Sequence, residues 1–262
     1  MEALKETVVC ALQSVFAPRA IVERNDMDVR KVEHLQEIQS MAQGPQTETV
    51  PFKENGLLFE ANVWLGQKTG FFFDQKKLRS RIEGLAKGRS VLDVFAYSGA
   101  AGLYALRGGA SQVTFMDSSQ TALTNCQRHV TLNFPKQTEA ARYLCQDAFE
   151  FFTPGQPQSF GMVIVDPPAL IKTQKDKEAG QKAYHFLNRS AMRMVKTGGI
   201  FVTSSCSHFL SADDFVWLLR RASVQSGVRL DLLEEVGQSP DHPLSIYFPE
   251  SRYLKSFIFK VG

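Results

Sequence analysis

The apolar residues Leu4, Val8, Val9, Leu12, Val15 and Phe16 recur at helical spacing, predicting an amphipathic helix from Glu2 to Phe16 that Pro18 closes. "AIVERND" then reads as a short strand and turn, and "VRKVEHLQEIQSM" as a second helix. "GPQTETVPFKENG" reads as a turn-rich connection into the strand "LLFEANVWL". Residues 1–67 are therefore expected to form a small α+β domain.

Beyond it the pattern becomes a regular alternation of apolar strand and helix. "SVLDVFA", "QVTFMD", "ARYLCQD", "FGMVIVD" and "GGIFVTSSC" are strands, each followed by a helical stretch. "RLDLLEEVG" and "YLKSFIFKVG" end the chain as two strands with no helix between them. Five β-then-α units and a terminal hairpin predict an α/β fold over residues 68–262. Its sheet is doubly wound and mostly parallel, with seven strands, a Rossmann-like arrangement and a C-terminal antiparallel hairpin. Ligands of such sheets lie over the carboxyl ends of the strands.

Composition agrees with a folded chain: 262 residues, 44% of them hydrophobic, are ample for a sizeable core. No run approaches the roughly 18 to 20 apolar residues of a membrane helix, and the N-terminus is acidic where a signal peptide is basic. A cytoplasmic protein is expected. The 30 Lys+Arg against 27 Asp+Glu leave a net charge of only +3, too little to announce a nucleic-acid binder. Two basic stretches, from Lys68 to Arg89 and from Lys172 to Lys196, are either a phosphate-facing rim or ordinary solvated helix faces. Cys10, Cys126, Cys145 and Cys206 form no C-x-x-C pair, so no metal site is expected.

The strand ends carry Asp93, Asp117, Asp147, Asp166 and Cys206. Any one of these aspartates is explained by helix capping; together on one rim they suggest a site. In "DVFAYSGAAG" an acid is followed by small residues where the chain turns sharply, with Gly99 and Gly102 expected where backbone approaches a ligand. Phe95 and Tyr97 stand where a pyrophosphate-binding loop has glycines, which suits a ligand without phosphates. Asp117 is placed to grip a ribose diol and Asp147 to meet an adenine amine. A nucleoside without pyrophosphate is the expected ligand, and S-adenosyl-L-methionine fits. The cofactor set becomes Asp93, Phe95, Ala96, Tyr97, Ser98, Gly99, Asp117, Ser118, Asp147, Ala148, Asp166 and Pro167.

"GQKTGFFFDQKKLR", "VLDVFAYSGAAG", "VDPPAL", "TSSCSHF", "DHPLSIYFPESRYLKSF" and the N-terminal "PRAIVERNDMDVRKVE" together resemble the ribosomal RNA large subunit methyltransferase I family. Its members are S-adenosylmethionine-dependent enzymes that form 5-methylcytosine in 23S rRNA. The resemblance runs over nearly the whole chain. It implies that Phe73, Asp74 and Gln75 close over the methionine end of the cofactor, the other reading being simple packing of Phe71 to Phe73. It also implies that His242, Glu250 and Arg252 lie on the RNA side and that residues 1–67 face the substrate. The family's members begin with a PUA RNA-binding domain, which this sequence does not contain, so how RNA is held stays open, a homodimer being one arrangement. The sequence also departs from the family's "DQRxNR" at Lys76 and Leu78, and from its lysine-aromatic pair after "DPP".

Cytosine C5 is too weak a nucleophile for direct methylation, so such enzymes first add a thiolate to C6. The thiol needs a lowered pKa and an acid at the N3 edge. Cys206 and Asp166, at the ends of strands that neighbour each other in such sheets, are the expected nucleophile and partner acid. Polar Ser204, Ser205, Ser207 and His208 set Cys206 apart from Cys10, Cys126 and Cys145, which are expected to be buried small hydrophobes. His208 tunes the thiol, binds phosphate or sits free in solvent. Ala169 after "DPP" cannot stack on a flipped base, unlike the aromatic of enzymes that methylate exocyclic amines. Methylation of another RNA atom, such as a guanine nitrogen, and a non-catalytic cofactor-binding assembly module remain as alternatives. A nicotinamide oxidoreductase is the weakest.

Overall fold

A computed structural model describes residues 2–26, 29–152 and 159–262. The chain divides into two compact units, one ending at Phe72 and one spanning Phe73–Gly262.

In the first unit a 3-10 turn leads into α1 (Lys5–Phe16), which ends in the left-handed Ala17 just before Pro18. β1 (Ile21–Asn25), the single turn α2 (Val29–Val32) and β2 (Ile38–Gln43) follow. The helix expected across residues 29–41 is thus corrected. It stops at α2, His34 turns left-handed at φ 55°, and residues from Ile38 pair antiparallel with β1. An isolated β1 would leave its backbone groups unpaired, and this outweighs a weak helical preference. Ser40 donates to Glu23 at 3.0 Å across the pair. Met27 and Asp28 of the N-terminal motif lie outside the described residues.

The expected connection before residue 57 is corrected as well. β3 (Thr49–Glu54) forms a hairpin with β4 (Leu57–Asn62). Asn55 and Gly56, both at positive φ, make the two-residue turn whose twist matches a hairpin. The ring pair Phe52–Phe59, 5.7 Å apart, fills one face. β4 ends at Asn62, whose side chain accepts from the backbone of Trp64 and Leu65.

The second unit is the expected seven-stranded sheet. Its strands are β5 (Ser90–Val94), β6 (Gln112–Asp117), β7 (Ala141–Cys145), β8 (Phe160–Val165), β9 (Val195–Ser205), β10 (Leu230–Val236) and β11 (Lys255–Val261). They lie in the order β10-β11-β9-β8-β5-β6-β7, and all neighbours are parallel except those involving β11. The helices are α3 (Lys76–Leu85), α4 (Ala100–Arg107), α5 (Gln120–Asn133), α6 (Ala148–Phe151), α7 (Lys177–Arg193) and α8 (Ala212–Ser226). α4 packs with α3 and α5, and α7 with α8, forming two helical layers. Central strands covered on both faces explain the unbroken apolar runs "MVIV" and "IFV". Strand order reverses between β5 and β8, where a doubly wound sheet opens a crevice at its carboxyl rim.

Gly102 serves this packing. A Cβ there would collide with the Phe115 ring on β6, so the clearance expected to admit a ligand instead admits the helix to the sheet. Gly102→Ala should lower stability by about 1–3 kcal/mol, read as a shift in chemical denaturation midpoint at unchanged slope.

Candidate active site

The loop after β5 is bent more sharply than its composition alone requires. Phe95, Tyr97 and Gly99 all take positive φ, at 63°, 49° and 74°. For the two non-glycine residues this costs on the order of 1–3 kcal/mol each, and persists only if the surroundings dictate it. Here they do. Ala96 donates to Met116 O, Tyr97 N donates to Asp117 at 2.9 Å, and Gly99 N donates to Ala96 O. Buried His129 on α5 bonds the Ser98 carbonyl at 2.9 Å. Gly99 also makes room for Cys126, whose sulfur a Cβ would meet.

Asp93 is 2% exposed, and one of its oxygens accepts from Gly102 N at 2.9 Å. Its carboxyl therefore ties β5 to the first turn of α4. Burial, reinforced by the charges of Asp166 and Asp117, pushes its pKa up from 3.8 to about 7. In that interval the folded chain keeps a proton that the unfolded chain has lost. Stability from this group is therefore full below 3.8 and declines as pH rises towards about 7. Asp93→Asn, which can still accept from Gly102, should remove that decline. The melting temperature of the variant relative to wild type should rise from about pH 4 to about pH 7 and stay level above that.

Asp117, ending β6, has one oxygen on Tyr97 N and the other on Ser119 N, both at 2.9 Å. Each oxygen keeps a lone pair, so a diol can still be accepted. Ser118 beside it is exposed. Asp147 caps α6, accepting from Phe149 N and Glu150 N through one oxygen, and Ala148 is buried behind it.

At the opening of the second unit, Gln75 and Asp74 are buried and Phe73 is exposed. Gln75 Nε2 reaches both carboxylate oxygens of Asp166 at 3.0 Å. Asp74 accepts from the Tyr253 hydroxyl at 2.7 Å, and its carbonyl accepts from Ser239 N and Oγ. Burial, followed by Asp74, pushes the Tyr253 phenol up, keeping it a donor. One oxygen each of Asp74 and Gln75 is buried without a hydrogen-bond partner among the described residues. Acceptors left in this way suit a cationic ligand group such as an ammonium.

Cys206 follows the last residue of β9 and is partly exposed. Three of its polar neighbours, Ser204, Ser205 and Ser207, are buried and hydrogen-bonded. Tyr184 on α7 reaches Ser205 Oγ at 3.0 Å and Ser207 Oγ at 2.9 Å. Ser207 Oγ accepts from Ile171 N, and Ser204 pairs with Ser256 at 2.8 Å. The serines therefore brace the strand end. The parallel register sets Val165 opposite Thr203, so Asp166 and Cys206 leave neighbouring strands at one rim. Pro167 is buried beneath Asp166.

Only part of the expectation for the other cysteines stands. Cys126 is fully buried, and burial raises its thiol pKa well above the ordinary value. Cys10 and Cys145 are exposed, contrary to the expectation of burial. Cys145 ends the edge strand β7, where one side lacks a covering strand, and its thiol points to Ser118 O. Several cations of the two basic stretches are engaged within the second unit. Arg79 is buried, Arg81 pairs with Glu234, Lys177 with Asp214 and Lys182 with Glu178. His208 and Glu250 are exposed, and Arg252 pairs with Glu235 at 2.9 Å. His242 is nearer the buried network, its backbone N–H donating to Ser239 O, while its ring bonds Asp241.

The sequence reading missed His129, Tyr253, Ser239 and Lys255. Their signals were faint: a histidine on an apolar helix face, and polar residues within or beside the C-terminal hairpin. Lys255 is the most informative, being 4% exposed and bonded to the carbonyls of Ser207 and Leu210, both at 2.7 Å.

A doubly wound sheet with Asp117 and Asp166 at its carboxyl rim and a sharply bent loop after β5 has the architecture of the methyltransferase class. The chain belongs to the S-adenosylmethionine-dependent methyltransferase family, whose model matches residues 28–256. It is 36% identical over 98% of its length to the ribosomal RNA large subunit methyltransferase I of Pseudoalteromonas atlantica, of which it covers 65%. It is 40% identical over 82% of its length to a ribosomal RNA large subunit methyltransferase of Deinococcus radiodurans, of which it covers 52%. In structure it is similar to a candidate SAM-dependent methyltransferase from Streptococcus mutans, with TM-score 0.83, 20% identity, and 99% and 66% of the two chains covered. The M. jannaschii tRNA m1G37 methyltransferase shares the fold at TM-score 0.67 and 15% identity, with 99% and 68% covered. The cofactor is S-adenosyl-L-methionine, and the partnerless acceptors of Asp74 and Gln75 fit its ammonium group. No helix among the described residues is long and apolar enough to cross a membrane.

Proposed function

We propose that this protein is an RNA methyltransferase that forms 5-methylcytosine, in 23S rRNA, with Cys206 as nucleophile and Asp166 as its partner acid. The observation that carries the reading is the partly exposed thiol of Cys206 on the strand next to Asp166, at the rim that also holds Asp117. S-adenosylmethionine supplies an electrophilic methyl group. Cys206 thiolate adds to C6 of the base, forming a C–S bond and turning C5 into an enamine carbon, while Asp166 steadies the charge at the N3 edge. C5 takes the methyl group and loses its proton to a base. Re-forming the C5–C6 double bond then breaks the C–S bond and releases the thiolate.

Gln75 holds Asp166 in place for this work. Phe73, Asp74, Gln75, Asp93, the loop Phe95–Gly99, Asp117, Ser118, Asp147, Ala148 and Pro167 form the cofactor side. His208, His242, Glu250 and Arg252 form the RNA side.

The test is an RNA carrying 5-fluorocytosine, which cannot release the C5 substituent and so traps the adduct. Wild type should yield a stable protein–RNA species on a denaturing gel, and Cys206→Ala none; an adduct that persists in the variant overturns the reading.

A further inference from the structure

We propose that Lys255 is a positioning residue whose ammonium group, clamped between the carbonyls of Ser207 and Leu210, stabilises the thiolate of Cys206. This rests on the reading of Cys206 as nucleophile and adds to it the device that makes the sulfur reactive at neutral pH.

The geometry is specific. In the antiparallel β9–β11 pair, Lys255 lies opposite Ser205, one residue before the cysteine. Its Nζ reaches past the strand end to Ser207 O and Leu210 O at 2.7 Å, so the two contacts bracket the segment that follows Cys206. Two of the three ammonium N–H groups are used in this way, leaving one for a third acceptor. Lysine is rarely buried this deeply unless it is paired, and two neutral carbonyls are weak compensation for a desolvated charge. A tether alone would be served by a neutral amide. A buried cation is explained if an anion forms beside it.

The titratable groups around Cys206 come from α7, from β11 and the segment before it, and from the end of the neighbouring strand β8, where the Asp166 carboxylate opposes a thiolate and a cation is needed to offset it. Tyr184 on α7 and Tyr253 before β11 are phenols, both pushed up by burial and so uncharged at neutral pH. Lys255 on β11 is the cation among them. Exposed His208 stands two residues on. Burial lowers the Lys255 pKa from 10.5 to about 8, and Cys206 opposes that fall. The ammonium therefore persists at neutral pH and is lost only in alkaline solution. A cation in this position is what lowers a thiol pKa elsewhere.

The test is the pH profile of Cys206 alkylation by iodoacetamide, followed by peptide mass spectrometry on the full chain without RNA. Wild type should show a midpoint below the roughly 8.5 of an ordinary thiol. Lys255→Met should raise the midpoint by about one unit, slowing alkylation about tenfold near pH 7, and Lys255→Arg should restore it. A folded Lys255→Met protein with an unchanged profile overturns the proposal. If that variant does not fold, the wild-type profile decides: a midpoint at or above about 8.5 overturns the proposal, and a lower one supports it. Because the readout needs neither RNA nor cofactor, it stands apart from the trapping experiment. Methylation by Cys206→Ala would remove the nucleophile reading without changing what the alkylation profile says about Lys255.

Discussion

Cys206→Ala should reduce RNA methylation by about 10³-fold or more while cofactor binding stays at the wild-type level. The split follows from the layout. The contacts assigned to the cofactor come from the rim after β5, β6, β7 and β8 and from the segment Phe73–Gln75, and the hydrogen bonds that shape that rim run through Asp117, Asp147 and Gln75. The hydrogen bonds among Tyr184, Ser205 and Ser207 also remain, so the strand end keeps its shape. Calorimetry with S-adenosylmethionine beside a methyl-transfer assay on ribosomal RNA from a deletion strain measures both halves. Cys206→Ser is the sharper discriminant: nearly intact turnover would point instead to methylation at an atom that is already nucleophilic, such as a guanine nitrogen. Cofactor binding without methyl transfer by wild type would point to an assembly module.

Asp166→Asn should lower the single-turnover rate by about 10²- to 10³-fold, the usual range when a charge-stabilising group is lost. Two side effects identify the cause. Gln75 Nε2 donates to both carboxylate oxygens, so an asparagine amide would set one donor against another and cost about 1–3 kcal/mol of stability. Asp166 is also one of the charges that raise the Asp93 pKa, so its removal should move the decline in stability to lower pH. Thermal melts across pH give both effects. An Asp166→Asn enzyme with wild-type rate would remove the residue from the chemistry even if the melts changed as expected.

The parallel sheet was legible because its strands are buried on both faces. They read as uninterrupted apolar runs, each ended by a helix-starting signal such as Ser119, Asp147 or Ser211. The first unit was less legible, since short strands owe their existence to partners distant in the chain. Ile38–Gln43 becomes a strand by pairing with Ile21–Asn25, and nothing local announces it. Asn55-Gly56 before "LLFEA" is a local hairpin signal while Pro51 disfavours a strand over Thr49–Glu54; β3 accommodates the proline at the edge of a two-stranded sheet.

For the site, the sequence by itself determined which residues stand at strand ends: Asp93, Asp117, Asp147, Asp166 and Cys206 follow directly from strand boundaries and helix caps. What each side chain faces was decided by the tertiary structure. Asp93 turns inward to Gly102, Gln75 reaches Asp166 across the chain, and Lys255 arrives beside Cys206 because an antiparallel strand brings it there. Strand ends are local properties, set by side-chain burial over a few residues. A hydrogen bond between positions 75 and 166, or a lysine bonded to the carbonyls at 207 and 210, exists only once the sheet has closed the distance between them.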